Sequence, residues 1–307
     1  MREHRRGRAP LFVRGMHGLG DNIMQRPFIR AASKRESVVY LQTPWPELYA
    51  DLENVRPVRS QTRLRTQAKN ESQFRGRWHP RPGGARTVQI AYGSQSLETG
   101  QSIMAAMESR LPLGDSPFRW DLPDLGPPFE IDTGGRPLAI VRPVTERAEW
   151  HNASRSPDPA YVNAAAERLA ESHFVIAVAD LQPQQEWLVG AMPVCDVAYL
   201  RGELTAMDLL QLVAQADVVV GGVGWIVPAA LALRTRCFIY LGGNGAHNAP
   251  EVIVDPRANA SRLGFAVPSK FCRCTEKQHR CDKRIDRPLE QFEVWAAQQG
   301  VQLCSSR

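Results

Sequence analysis

The chain has 307 residues, 43% of them hydrophobic and 23% charged, with 23 Gly and 23 Pro. This is globular composition, enough for two domains of about 150 residues, and it excludes collagen-like, mucin-like and wholly disordered chains. The formal net charge of +6 is unevenly spread: residues 1–86 carry 18 basic and 7 acidic side chains, the rest 20 and 25. A basic N-terminal third predicts an anionic partner. No run approaches the ~18 apolar residues of a membrane span, so no transmembrane segment is expected. The opening MREHRRGRAPLFVRG does not read as a signal peptide. Four of the six cysteines fall after residue 271, which is no secreted disulfide scaffold, and a cytoplasmic, reducing location is expected.

In chain order, residues 10–30 (PLFVRGMHGLGDNIMQRPFIR) predict a short strand, a glycine-rich turn and a helix, with Pro27 at its first turn or at a kink. Residues 37–44 and 87–92 predict two more strands, and 99–110 a helix. Residues 56–86 hold nine basic side chains and one acidic, with Phe74, Trp78 and His79 interleaved, and predict a long loop or mobile excursion. Residues 112–137, rich in Pro, Gly and Asp, predict a linker centred on 126–137. The rhythm then restarts: strands at 138–142, 173–179, 217–220 and 237–241, and helices at 159–171, from Thr205 and at 225–233. The amphipathic segment 288–299 predicts a terminal helix opened by Pro288. Alternating strands and helices specify an α/β protein with parallel sheets, an N-terminal domain over 1–125 and a C-terminal domain over 138–307.

Gly15-Met16-His17-Gly18-Leu19-Gly20-Asp21 directly after a strand allows close approach of a ligand at a helix N-terminus. It fits neither the Walker A spacing nor the dinucleotide fingerprint. Two readings follow: a phosphate-binding loop, or a structural turn with Asp21 capping the helix. A carboxylate at the C-terminal edge of a parallel sheet also suits a general base acting on a hydroxyl, and His17 could orient a substrate or share that role. A packed histidine is the alternative for His17.

Residues 11–32 resemble the opening of the ADP-heptose:lipopolysaccharide heptosyltransferase-like glycosyltransferases, carried by Gly18-Leu19-Gly20-Asp21, and residues 208–241 resemble that family's donor-site region, carried by ADVVVGGVGWIVPAALALRTRCFIYLGG. The resemblance implies the B-type glycosyltransferase fold, two facing Rossmann-like domains, and inverting transfer from a nucleotide-diphosphate sugar without a catalytic metal or other cofactor. It implies that Asp21 is the base. It places Gly20, Arg142, Arg155, Gly222 and Gly224 toward the donor diphosphate. The family's Asp-Ser/Thr-Gly-x-x-His segment is replaced here by Gly222-Val223-Gly224-Trp225-Ile226-Val227-Pro228. Trp225 could stack on a sugar or base, or pack in the core. Glu203 could hold a ribose or its own helix start, and His247 is a further donor candidate.

The basic segment, with Arg63, Arg65, Arg75 and Trp78, is the candidate acceptor surface, for lipopolysaccharide or another anionic glycan, or for a hydroxylated base in DNA. The cluster FCRCTEKQHRC at 271–281 offers Cys272, Cys274 and Cys281, with His279 nearby and Cys304 distant, as ligands of a structural zinc site. Free thiols, or a disulfide to Cys304, are the alternatives. Two functions compete with transfer: a nucleotide-sugar epimerase or hydrolase of the same fold, and a non-catalytic basic nucleic-acid-binding protein held by zinc.

Overall fold

The computed structural model describes residues 9–93, 100–111 and 120–304. The basic head, part of the expected 99–110 helix and part of the 112–137 linker lie outside the described residues. The chain divides into two units, Met1–Asp124 and Leu125–Arg307.

Unit 1 is a four-stranded parallel sheet in the order β3-β2-β1-β4. Its elements are β1 (Leu11–Arg14), α1 (Leu19–Arg35), β2 (Val39–Gln42), β3 (Val55–Val58), α2 (Arg65–Gln73), β4 (Arg86–Gln89) and α3 (Ile103–Glu108). The buried LFV of β1 pairs with β2 on one side and β4 on the other, because both of its faces are covered. Ser102 caps α3 by accepting the Ala105 N–H. The first helix runs straight through Pro27, which is buried with every residue from Asn22 to Ile29. Packing on that face offsets the one backbone hydrogen bond a proline removes.

The excursion expected over residues 56–86 is in part built structure, with 59–64 and 74–85 left irregular. Its first residues complete β3, paired residue for residue with β2. Residues 65–73 form α2, whose buried side chains are Gln67 and Glu71. The Glu71 carboxylate accepts the Ser60 N–H at 2.6 Å, and the Asn70 amide donates to Pro44 O and Glu47 Oε1 at 2.7 and 2.8 Å. Polar anchors replace the apolar stripe that would have announced this helix.

Unit 2 carries a six-stranded parallel sheet in the order β12-β11-β10-β5-β7-β9, built from β5 (Leu138–Arg142), β7 (Phe174–Val178), β9 (Val197–Tyr199), β10 (Val218–Gly222), β11 (Arg236–Tyr240) and β12 (Leu263–Ala266). A separate antiparallel pair joins β6 (Thr145–Arg147) to β8 (Glu186–Leu188). The helices are α4 (Pro159–Ala170), α5 (Ala206–Gln215), α6 (Ile226–Leu233), the single turns α7 (Gly245–Asn248) and α8 (Pro250–Ile253), and α9 (Pro288–Gln299). Thr205 and Asp208 form a reciprocal capping box at the start of α5. From α9, Phe292, Trp295 and Ala296 bury against Phe238 and Tyr240 of β11, so the C-terminal helix closes the core of this unit.

Arg26 of α1 is completely buried and binds Leu48 O, Asp121 O and both oxygens of Asp51. Burial alone would raise the Asp51 pKa; the hydrogen bond and charge of Arg26, with Arg30 behind, outweigh it and hold the carboxyl below its ordinary value. Arg26→Met is expected to cost about 3 kcal/mol at neutral pH, read by urea unfolding, because it strands the groups that Arg26 satisfies. A depressed folded pKa stabilises above the unfolded value and is lost as pH falls, so the wild type shows a stability loss below pH 3.8 that is smaller in the variant, where only Arg30 still holds Asp51.

Candidate functional site

Read as positions within each sheet, the strand orders are the same: the first strand of each unit lies between its second and its fourth. In an open parallel sheet the loops leave in opposite directions at that point, which opens a crevice beyond the carboxyl ends of the strands. In unit 1 the crevice is flanked by β1 and β4, in unit 2 by β5 and β10.

At the unit 1 crevice, Asp21 is half-buried in the first turn of α1. Its Oδ1 accepts the Tyr92 hydroxyl at 3.0 Å, and its other oxygen lies over Gly18. Tyr92 follows β4, so this hydrogen bond spans the crevice from one flanking strand to the other. The turn beneath Asp21 is pinned by a polar network. Asn22 donates to Met16 O and Gly18 O, both at 2.8 Å, and Gln25 accepts the Met16 N–H at 2.9 Å. Gln25 and Thr43 each donate to Asn22 Oδ1, and Trp45 Nε1 donates to His17 O at 2.8 Å. Asn22, Gln25 and Thr43 are fully buried. The His17 side chain is exposed; its backbone carbonyl is the part the network uses. Gly20 stands in the first helical turn.

At the unit 2 crevice, Arg142 ends β5 and lays its guanidinium on the turn after β10. A Cβ at Gly224 would lie 2.9 Å from the Arg142 terminal nitrogen and 3.2 Å from the guanidinium carbon, so any side chain there would displace the guanidinium. Arg155 reaches the same turn and donates to Val223 O at 2.7 Å. Burial first, then the nearby Arg155 charge, lowers the Arg142 pKa to about 10, and the group is a cation at neutral pH. The buried Glu186 sits behind them, bound to Arg147 at 2.8 Å and to the Thr145 hydroxyl at 2.9 Å. The first N–H groups of α6 begin at half-buried Trp225, its N-cap. Two guanidinium groups, glycine backbone and a helix start are the donor set a diphosphate takes.

Other expected residues stand apart. Glu203 follows the edge strand β9, and its carboxylate accepts the Arg201 N–H at 2.7 Å, within its own turn. His247 lies half-buried on α7 beyond β11. Arg63 and Arg75 are exposed and Arg65 is half-buried beside α2. Trp78 carries the Arg59 guanidinium over its ring at 5.1 Å and makes an edge contact with the Phe74 ring at 5.0 Å, so it is already engaged within the protein. A cavity of about 240 Å³ in unit 1 is lined by Tyr49, Glu53, Arg56, Arg77 and His79 among others, a cationic rim that the sequence reading did not single out. Tyr92, Asn22, Gln25 and Thr43 were also missed. Polar residues spaced three apart inside the apolar run LGDNIMQRPF were the available signal.

Cys272, Cys274, His279 and Cys281 bring one ligand atom each within 4.8 Å of one another. Cys274 and Cys281 Sγ are 3.6 Å apart, and His279 Nδ1 lies 3.4 Å from Cys272 Sγ and 3.3 Å from Cys281 Sγ. Metal–sulfur and metal–nitrogen bonds of about 2.3 and 2.0 Å give tetrahedral edges of about 3.5 Å, so the four groups fit one tetrahedral ion. Cys304 is not among them. It is exposed beside α4, donating to Glu171 O at 3.2 Å, and His279 stands in the fourth position through the local pattern Cys-x-Cys-x4-His-x-Cys. All six cysteines stand as free thiols in the structure.

No family model matches the chain, and its sequence matches no curated protein. Solved structures do match. TibC, an iron-containing dodecameric glycosyltransferase from enterotoxigenic E. coli H10407, is 13% identical over 96% of this chain and 75% of its own, with a TM-score of 0.57. ADP-heptose LPS heptosyltransferase II of E. coli is 14% identical over 95% and 99%, at 0.51. A family 9 glycosyl transferase from Veillonella parvula is 9% identical over 94% and 98%, at 0.54. The fold is that of the heptosyltransferase-like glycosyltransferases. At these identities the likeness is one of architecture, and it spans 94–96% of the chain.

Cobalt(II) titration is expected to give one equivalent of thiolate-to-metal absorption in the wild type and unchanged in Cys304→Ser. Cys281→Ser is expected to weaken binding by about 10-fold or more, and loss of the signal in Cys304→Ser would contradict the ligand set.

Proposed function

We propose that the protein is an inverting glycosyltransferase that moves a sugar from a nucleoside-diphosphate donor to a hydroxyl of an anionic glycan. The observation that carries this reading is the Arg142 guanidinium laid against Gly224 at the β5/β10 crevice, with Arg155 on the adjoining carbonyl. Unit 2 would hold the donor through its diphosphate. Unit 1 would supply the base, since Asp21 stands at the corresponding crevice of its own sheet.

Asp21 takes the proton of the acceptor hydroxyl as that oxygen bonds to the anomeric carbon. The bond from that carbon to the diphosphate oxygen breaks, and the electron pair leaves with the nucleoside diphosphate. Arg142 and Arg155 stabilise the negative charge that grows on the leaving group, a role that needs no metal. Tyr92 fixes the Asp21 carboxylate by donating to one oxygen, which selects its orientation toward the acceptor.

The acceptor belongs to unit 1, whose surplus of arginines includes Arg56 and Arg77 on the cavity rim. That charge would also suit a hydroxylated base in DNA, but the comparisons lend that acceptor no support. The Cys272, Cys274, His279 and Cys281 set is proposed as a structural zinc site, four-coordinate and closed to substrate. Its residues hold a loop and supply no group to the transfer.

Asp21→Asn is expected to lower turnover at least ~100-fold while donor affinity stays within about 2-fold, measured with a panel of nucleotide sugars and by titration calorimetry. Donor consumption that needs an added acceptor supports transfer; consumption without one supports an epimerase or hydrolase. An unchanged turnover in Asp21→Asn removes Asp21 from the mechanism.

A further inference from the structure

The Cys-rich loop is more than a closed clip on the surface of unit 2. Between β12 and α9, residues 267–287 form no helix or strand, and a segment of this length needs pinning. Its backbone is stitched to the loop that carries Arg155 and to the loop after β11. Buried Ser154 makes two of these stitches, its N–H donating to Lys277 O at 3.0 Å and its hydroxyl to His279 O at 3.0 Å, and its carbonyl ties the two loops together by accepting the Gly243 N–H at 2.6 Å. Lys283 donates to Ala153 O at 2.8 Å.

The loop after β11 is held in the same way. Gly245 N–H donates to Cys272 O at 2.8 Å, and the Asn244 amide donates to Glu276 O at 3.2 Å. A Cβ at Gly243 would lie 2.1 Å from Cys281 Sγ, so glycine is required for the ligand sulfur to rest on this backbone. A further link runs from Gln278, whose amide donates to His151 Nδ1 at 3.0 Å, to Glu146, which lies 2.8 Å from His151 Nε2.

Arg155 directly follows Ser154. Its guanidinium reaches Val223 O on the turn that Arg142 covers. A chain of direct contacts therefore leads from the four metal ligands through Ser154 to the diphosphate residues. Metal binding at thiolates contributes folding free energy to the segment that supplies them. Without it, the order of 267–287 rests on these few hydrogen bonds, and the loops they hold gain freedom with it.

We propose that metal occupancy at Cys272, Cys274, His279 and Cys281 positions Arg155 through Ser154, so that the affinity for a nucleoside diphosphate depends on a metal that never touches it. Ser154 is a positioning residue in this scheme. The coupling is reciprocal: a bound diphosphate slows loss of the metal by the same factor. The inference rests on Arg155 as a diphosphate contact, and the test separates the two.

Hydrogen exchange of the full chain, zinc-loaded and after zinc removal by chelator, reads the coupling without any nucleotide. Segments 152–156 and 242–245 are expected to lose protection by about 10-fold or more, with β1 and α1 unchanged. Unchanged protection of 152–156 overturns the proposal, as does failure to bind stoichiometric zinc. Calorimetry with ADP and with UDP then reads the consequence. Zinc removal is expected to weaken the better of the two at least ~5-fold, and Ser154→Ala, with zinc content intact, about 3-fold. In Arg155→Met the same zinc removal is expected to change affinity by less than about 2-fold, because the route through Arg155 is already cut. A full 5-fold loss in Arg155→Met overturns the route, since a general loosening of the unit would act regardless of Arg155. Should zinc-loaded wild type bind neither nucleotide, the donor reading falls, while the exchange result still decides the coupling.

Discussion

Arg142 leaves β5 at the strand where the second sheet changes its direction of winding, and its guanidinium occupies the space that any side chain at Gly224 would need. A cation held on glycine backbone, beside a second cation and a helix start, is costly unless an anion shares the site. Arg155 lowers the Arg142 pKa for that reason, second only to burial. A diphosphate would add to the negative charge that buried Glu186 already supplies, and glycine would let it approach the backbone.

The two units solve their local problems with different materials. Unit 2 carries a large apolar core in which β5, β7, β10 and β11 are buried almost throughout. Its site residues are then placed by short loops at strand ends. Unit 1 relies on polar order: Asn22, Gln25 and Thr43 are buried and satisfied by one another, and Arg26 ties α1 to the segments at Leu48, Asp51 and Asp121. Such networks specify a single geometry when complete. The geometry they specify is the turn that presents Asp21.

Much of unit 2 was legible because its strands are apolar runs and its helices begin with recognisable caps. Thr205 with Asp208, Pro159 and Pro288 each mark a helix start that the structure retains. The glycine turns and Arg142 were legible through their place after strands. What escaped depends on partners distant in sequence. β6 and β8 pair across some forty residues, three residues each, too short for periodicity. β3 contains Arg56 and Pro57 and reads as loop until β2 is placed beside it. α2 buries Gln67 and Glu71, so no apolar stripe exposes it. At the cysteine loop the pattern was visible and the fourth ligand was not. Cys304 competed with His279 in the sequence, and only the path of the chain past α9, leaving Cys304 at the end of α4, decides between them.

The central claim is that unit 2 recognises a diphosphate at Gly224, and the most direct measurement compares each nucleoside diphosphate with its own nucleoside. Calorimetric titration of ADP, UDP, adenosine and uridine into the zinc-loaded full chain is predicted to show at least one diphosphate binding ~100-fold or more tightly than the matching nucleoside, as two charge-assisted arginine contacts require. Equal affinity for nucleoside and diphosphate in both pairs would contradict the account.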